Sequence, residues 1–327
     1  MPAPGMPAPV KPAPVKPAPR MVSVLTENWT MVDPRDIRDL VRMAQEAEDA
    51  GFDMVMVSDH VLLGPSAGSQ GRMANPRDYA MPGNQDPATA WPSNLVLLSA
   101  IAAATTRIRV GAIALIAPLR HPLVLAKDLA TLDLLSEGRL VIQPTVSWHA
   151  DEYAALGVPF SSRGRILDEQ LEIWRRGWRQ SPTDFAGEFF SFEDVYLEPK
   201  PYRPEGPRMW FGGEQLHPRL LQRLLDFGSG FHPLGRPRPE DVELLREGLA
   251  ARGRTLQDIE MVGGTRVDFP DDNSCAPLEP ALAGIPEQQE LGFTTFCIKP
   301  SIFIDERAEH AAFCRRVMAE VNTLTST

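Results

Sequence analysis

The sequence predicts a single (β/α)₈ barrel, and three observations predict it. From Met21 onward, short β-branched runs alternate with longer amphipathic stretches, as in proteins built on a parallel sheet. Eight such strand-plus-helix units fit within about 300 residues, the usual size of that barrel. The first strand, 21–26, runs into Glu27, Asn28 and Trp29, where the rival architecture, a doubly wound open sheet, usually carries a Gly-rich phosphate turn.

Residues 1–20 repeat a Pro-Ala-Pro unit, so the backbone lacks donors and favours an extended, disordered tail over packing. A proline-recognition ligand for some partner is the other reading of this tail. The barrel domain then occupies 21–327. Asp33 and Pro34 read as the N-cap and first turn of a helix through about Ala50, with Gly51 ending it. Ile37, Leu40, Val41, Ala44 and Ala47 give that helix one buried face.

Strand two is expected at 52–58, followed by a Gly-, Pro-, Asn- and Ser-rich loop from Val61 to Trp91, far longer than the usual connection. Further units follow: helix 95–105, strand three at 107–115, helix 121–136, strand four at 139–145 and a helix near 164–180. A Phe-rich insertion from Asp184 to Pro201 precedes strand five at 209–212. Helix 217–227, strand six near 228–232, helix 239–252, strand seven at 259–267, strand eight at 293–298 and a last helix 305–322 complete the ring.

Composition bounds the function. A formal charge of −10 without a basic cluster argues against nucleic acid as a partner, because phosphate neutralisation requires a local excess of Lys and Arg. No apolar run approaches the roughly 20 residues needed to cross a bilayer, and no signal-peptide core is seen, so a cytoplasmic protein is expected. Cys275, Cys297 and Cys314 lack metal spacing and read as structural thiols in a reducing compartment. No HExxH, zinc cluster, GxSxG elbow or P-loop is present, so no metal site is expected. A redox cofactor site survives this elimination best.

In such a barrel the site lies at the C-terminal ends of the strands. Strand two ends in Ser58, Asp59 and His60, a carboxylate beside an imidazole that can act as acid or base near neutral pH. A helix cap at Asp59 with His60 lining a loop is the alternative. Gly111, with Ala112 and Ile113 in strand three, marks a bulge or the close approach of a ligand, or else packing against a neighbour. After strand four, Thr145, Ser147, Trp148 and His149 offer groups that hydrogen-bond and stack a planar ring, or a surface loop with one aromatic anchor. Gly212, Gly213 and Glu214 after strand five could present backbone N–H groups to a cofactor phosphate at a helix N-terminus, although a plain turn uses the same residues.

Several segments together resemble the luciferase-like monooxygenase superfamily, and especially its deazaflavin-dependent oxidoreductases. They are GFDMVMVSDH at 51–60, TTRIRVG at 105–111, the stretch 120–140 beginning RHPLVLAKDLATLDLL, EYAALGVPF at 152–160, and EPKP at 198–201 with FGG at 211–213. The resemblance implies a flavin or deazaflavin ring against a non-proline cis peptide in strand three, carried over to Gly111–Ile113, and a phosphate near Gly212–Glu214. It implies an acid–base or orienting role for His60 with Asp59 beside it, and a homodimer. Two segments depart from the family's pattern: QPTVSW at 143–148 replaces a Gly-rich turn, and Ser229-Gly230-Phe231 replaces a frequent Asp-Gly-Trp.

The resulting expectation is an oxidoreductase moving hydride between the reduced deazaflavin coenzyme F420 and a small organic substrate. The alternatives are an FMN-dependent monooxygenase using oxygen and a partner flavin reductase, and a non-catalytic flavin- or ligand-binding barrel. The Met, Phe, Tyr and Trp content of the long loop and the insertion points to an apolar or aromatic substrate, or to an ordinary lid packed on the barrel rim.

Overall fold

The computed structural model describes residues 18–233, 235 and 237–324. In chain order its strands are β1 (Arg20–Val24), β2 (Met54–Val57), β3 (Arg109–Ile116), β4 (Leu140–Thr145), β5 (Thr183–Ala186), β6 (Ser191–Val195), β7 (Arg208–Phe211), β8 (Gly230–Phe231), β9 (Glu260–Gly264) and β10 (Thr295–Ile298). Eight of them close into a barrel in the order β1-β2-β3-β4-β7-β8-β9-β10, every pair parallel. The β5–β6 pair forms an antiparallel hairpin outside the ring. The expected (β/α)₈ barrel is the fold.

Ten α-helices lie among the described residues: α1 (Ile37–Ala50), α2 (Asn94–Ala104), α3 (Pro122–Leu135), α4 (Ala150–Ala155), α5 (Arg163–Gly177), α6 (Pro218–Phe227), α7 (Pro239–Ala250), α8 (Leu278–Ala283), α9 (Ile285–Glu290) and α10 (His310–Thr323). None is long and apolar enough to cross a membrane. Two apolar layers hold the fold together. Outward-facing strand residues such as Val55, Val57, Val110, Ala112 and Ile142 pack against the helices. Inward-facing Val22, Val24, Met54, Met56, Ile113, Val141, Trp210, Val262 and Cys297 fill the barrel lumen, the period-2 alternation of a closed sheet.

The N-terminal end of the lumen is closed by charge. Arg109 of β3 donates to Glu260 of β9 at 2.7 and 2.9 Å and also pairs with Asp53. Arg20 of β1 reaches the same Glu260 at 3.0 Å, and Thr295 of β10 donates to it at 2.7 Å. Burial alone would raise the Glu260 carboxyl, but the Arg109 hydrogen bonds and charge, with help from Arg20 and Thr295, bring it down to about 2.

Several elements differ from the sequence reading. Strand one starts at Arg20, which pairs with Thr295, so the barrel takes the last residue assigned to the tail; residues 1–17 of that expected tail lie outside the described residues. The first helix is capped by Asp36, whose side chain accepts from the Asp39 N–H at 3.0 Å. Asp33 instead accepts from the Arg35 N–H at 2.9 Å in the preceding turn, and Gly51 closes the helix in the left-handed region as expected. The Phe-rich insertion is the β5–β6 hairpin, with Phe185 and Phe192 stacked at 6.1 Å. The short helices α8 and α9 fill the β9–β10 crossover, where no helix is apparent from the periodicity.

Candidate active site

His60 stands just past β2, at the C-terminal mouth, and is 9% exposed. Its Nδ1 lies 3.2 Å from Oε2 of Glu152, a carboxylate with no solvent exposure on α4. The other Glu152 oxygen accepts from the Val61 and Leu62 N–H groups at 2.8 and 3.3 Å. A carboxylate facing Nδ1 favours the proton on that nitrogen, which leaves Nε2 as the lone-pair side. Nε2 has no hydrogen-bond partner among the described residues. Around the imidazole stand Trp91 at 4.9 Å, Trp148 at 6.0 Å and His149 at 6.3 Å, all edge-to-face.

Asp59 does not hydrogen-bond to His60. Its two oxygens are taken by the Arg120 guanidinium at 2.7 and 2.9 Å, and Oδ2 also accepts from the Ile116 N–H at 2.9 Å. The carboxylate therefore fixes the end of β3 to the start of α3, and the imidazole takes its carboxylate from α4. Ser58 is tied to the β1–α1 turn, with its Oγ 2.5 Å from Thr26 Oγ1 and donating to Glu27 at 3.0 Å.

In β3 the space beside Gly111 is filled from within the protein: a Cβ there would meet the Met54 methyl at 2.0 Å. Packing against Met54 accounts for this glycine. Ala112 faces the helix layer and Ile113 the lumen. The expected irregularity of this strand lies one step on, at a non-proline cis peptide between Ile113 and Ala114 and a register shift between Ile113 and Leu115.

After β4, Thr145 and Ser147 are half-buried, and Ser147, in the left-handed region, accepts from the His149 N–H at 3.3 Å. Trp148 and His149 of this segment join Trp91 around His60. His149 is fully buried and accepts from the Gly64 N–H at 2.7 Å; burial pushes its pKa down, against the raising effect of Glu152 and Asp151.

The turn after β7 differs most from expectation. A Cβ at Gly212 would lie 1.7 Å from the His232 carbonyl oxygen, so the close approach of the chain after β8 accounts for that glycine. Gly213 and exposed Glu214 precede α6 by a further loop, and the α6 N-terminus is already capped by the His217 side chain, which accepts from the Leu220 N–H at 3.3 Å. The helix-dipole arrangement expected for a phosphate is not formed by these residues.

The long loop 61–91 is a strap fastened on both sides of the mouth. One side is held by His149, Glu152 and Asp151, the last accepting from the Ser66 N–H at 2.9 Å. On the other side Arg77 donates to Asp305 at 2.7 Å, Asn75 donates to the Asp271 and Ser274 carbonyls, and the Ala80 N–H donates to Glu27 at 3.0 Å.

Two groups at the mouth escaped the sequence reading. Lys299, just past β10, is fully buried and donates to the Asp78 carbonyl at 2.6 Å. The same inspection of residues after each apolar run, applied to strand eight, would have found it. His232, past β8, has Nδ1 at 2.7 Å from Gln143 Oε1 and Nε2 at 3.8 Å from the Cys297 Sγ. Burial, and then Arg266, lowers His232 to about 4, so it is neutral. Burial raises Cys297 to about 12, so it stays a thiol.

A planar cofactor ring finds suitable chemistry beside His60: aromatic edges, one free imidazole nitrogen, and the buried Trp91 indole N–H, which has no hydrogen-bond partner among the described residues. Between Trp29 and Trp91 a small pocket has room for about one water.

The luciferase-like monooxygenase family matches residues 20–292. The chain belongs to that family. An uncharacterized protein of Mycobacterium tuberculosis is 34% identical over 213 residues, 64% of this chain and 73% of the relative. The F420-dependent glucose-6-phosphate dehydrogenase of Amycolatopsis mediterranei is 27% identical over 248 residues, 73% of this chain and 67% of that enzyme. The FMNH2-dependent dimethylsulfone monooxygenase of Pseudomonas putida is 27% identical over 190 residues, 57% of this chain and 46% of that enzyme. Among solved structures, the monooxygenase RslO1 of Streptomyces bottropensis superposes with a TM-score of 0.70 at 19% identity, covering 94% of this chain and 100% of the other. The luciferase-like chain is thus an oxidoreductase of a family whose members include enzymes named for F420 and for FMNH2.

Proposed function

We propose that this protein is a deazaflavin-dependent oxidoreductase that exchanges hydride between coenzyme F420 and a small organic substrate, with His60 handling the accompanying proton. One observation carries the reading: the imidazole at the end of β2 is held through Nδ1 by buried Glu152, while Nε2 has no hydrogen-bond partner among the described residues. Hydride chemistry on an alcohol or carbonyl requires a proton to leave or arrive at oxygen, and an oriented imidazole does this near neutral pH.

The bound deazaflavin would supply or accept the hydride. His60 would hold or take the substrate proton at Nε2, and Glu152 would fix the tautomer and stabilise the imidazolium. Trp91 and Trp148 would flank the ring and exclude water from that side. Asp59 would act at a distance, positioning the end of β3 through Arg120. At the turn after β7 the close approach of the His232 carbonyl requires glycine at 212, while Gly213 has only ordinary contacts, so any phosphate contact there would come from Gly213.

Titration of the purified chain with F420 and with FMN tests the coenzyme. Saturable binding of the deazaflavin, tighter than FMN by tenfold or more, is expected. FMN binding alone would favour the second reading, oxygenation with a partner reductase, which the similarity to the dimethylsulfone monooxygenase supports.

A further inference from the structure

Of the Lys and Arg side chains that are buried among the described residues, Arg223 pairs with Asp168 at 2.7 Å and Lys299 pairs with no carboxylate. That is an unusual situation, because an ammonium taken out of water needs a compensating partner. Lys299 makes one hydrogen bond, to the main-chain carbonyl of Asp78 in the strap, and its remaining N–H groups face aromatic rings. Nζ lies 5.2 Å from the Tyr79 ring centre and 5.9 Å from that of Trp29.

The nearest candidate counter-ion is engaged elsewhere: one Glu27 oxygen accepts from Ser58 and the other from the Ala80 N–H. Asp78 presents its carbonyl, with its side chain on the exposed side. The strap lies over the ammonium at this point with Asp78 exposed and Tyr79 half-buried. The position itself, at the C-terminal end of a barrel strand, is where this fold places ligand contacts.

We propose that Lys299 anchors the carboxylate of a small aromatic or apolar organic acid, which displaces the Asp78 carbonyl from Nζ. The carboxylate supplies the counter-charge that the buried ammonium lacks, in a site where a charge-assisted hydrogen bond is stronger than in water. Trp29 and Tyr79 flank the ammonium and accept the flat or apolar body of the acid, which favours an organic acid over a bare phosphate. Lowering of the lysine to about 8, caused by burial against the weaker opposing effects of Glu27 and Asp78, agrees with an ammonium awaiting an anion. The proposal narrows the substrate class of the reading above and concerns the same mouth, since β10 and β2, which carry Lys299 and His60, both flank β1.

The test uses the full chain without added coenzyme, so that its outcome is separate from that of the hydride reading. Sodium benzoate is the probe and benzamide its uncharged isostere, with binding followed by calorimetry. Benzoate is expected to bind at least tenfold more tightly than benzamide, and Lys299→Met to remove that difference. In the wild-type chain benzoate, and not benzamide, is expected to slow acetylation of Lys299 by acetic anhydride, read by peptide mass; this arm does not depend on a variant folding. Equal binding of the two probes, no binding of benzoate, or unchanged benzoate affinity in Lys299→Met overturns the proposal. Inorganic phosphate competing as well as benzoate also overturns it, by assigning the ammonium to a phosphate.

Discussion

At the N-terminal end of the barrel Arg109 meets two carboxylates and Glu260 meets two guanidinium groups, whereas at the C-terminal end Lys299 meets one main-chain carbonyl and His60 keeps a ring nitrogen free. Both ends bury polar groups at the ends of the same eight strands. The difference lies in what is left unsatisfied. At the base Arg20, Arg109, Asp53 and Glu260 answer one another, which suits a plug whose task is to fix strand register. At the mouth, donors and acceptors are left for something else to answer, and that separates a stability end from a chemistry end on one scaffold.

The sharpest way to break this comparison is at His60. His60→Ala should lower turnover by about 10²- to 10⁴-fold, the usual contribution of a positioned acid–base group, while deazaflavin affinity stays within a few-fold. Steady-state rates alongside direct coenzyme titration separate the two effects. Turnover equal to wild type would remove the imidazole from the proton path. At the base, Glu260→Gln should do the converse. It leaves Arg109 and Arg20 short of a carboxylate and should cost about 3–5 kcal/mol in urea unfolding, the range for breaking a buried ion pair. Coenzyme affinity in this variant should be unchanged where the protein is folded.

Much of this division is legible in the sequence. The alternation of strand and helix periods gives the barrel, because the parallel strands are bounded by turn signals and helices such as α1 and α6 have one apolar face. His60 is legible because a polar tripeptide after an apolar strand stands at the mouth. Its partner is not: Asp59 is adjacent in sequence, but consecutive residues project in different directions, and Asp59 turns to Arg120 while Glu152 arrives from α4, 92 residues away. The glycines mislead for a related reason. A missing Cβ signals a close approach without saying what approaches, and at Gly111 and Gly212 the neighbour is Met54 and the His232 carbonyl. The short α8 and α9, each of 6 residues, carry too few turns to show a period.

Acid should distinguish the two ends by the pH at which each fails. His232 is lowered to about 4 by burial and by Arg266, from an ordinary value of 6.5. Its neutral form is the one the fold accepts, so its contribution is complete above 6.5 and is lost as pH falls from 6.5 toward 4. The interval corresponds to about 3 kcal/mol. Glu260, lowered to about 2 from 4.5, keeps its contribution down to 4.5 and loses it only below. Urea midpoints measured between pH 7 and 4 should therefore decline in the wild type and decline less in His232→Gln. Identical slopes for the two proteins would mean that the mouth histidine is not the group taking up the proton.

The smallest effect expected, and the one that bears most directly on why the ends differ, concerns Lys299 in alkali. Its folded value of about 8 lies below the ordinary 10.5, so between those limits the unfolded chain binds more protons than the folded one and stability rises with pH. Below 8 both states carry the charge and the burial cost is complete. Lys299→Met removes an ammonium that has no carboxylate partner, so the variant should be as stable as wild type or more stable by about 1–3 kcal/mol at pH 7. That advantage should shrink as pH rises from 8 to 10.5. The contrast with Glu260→Gln is one of sign, since a charge the protein answers is costly to remove and a charge it leaves unanswered is not. A loss of several kcal/mol in Lys299→Met at pH 7 would show that the Asp78 carbonyl and the rings of Trp29 and Tyr79 already satisfy the ammonium, and the mouth would then resemble the base.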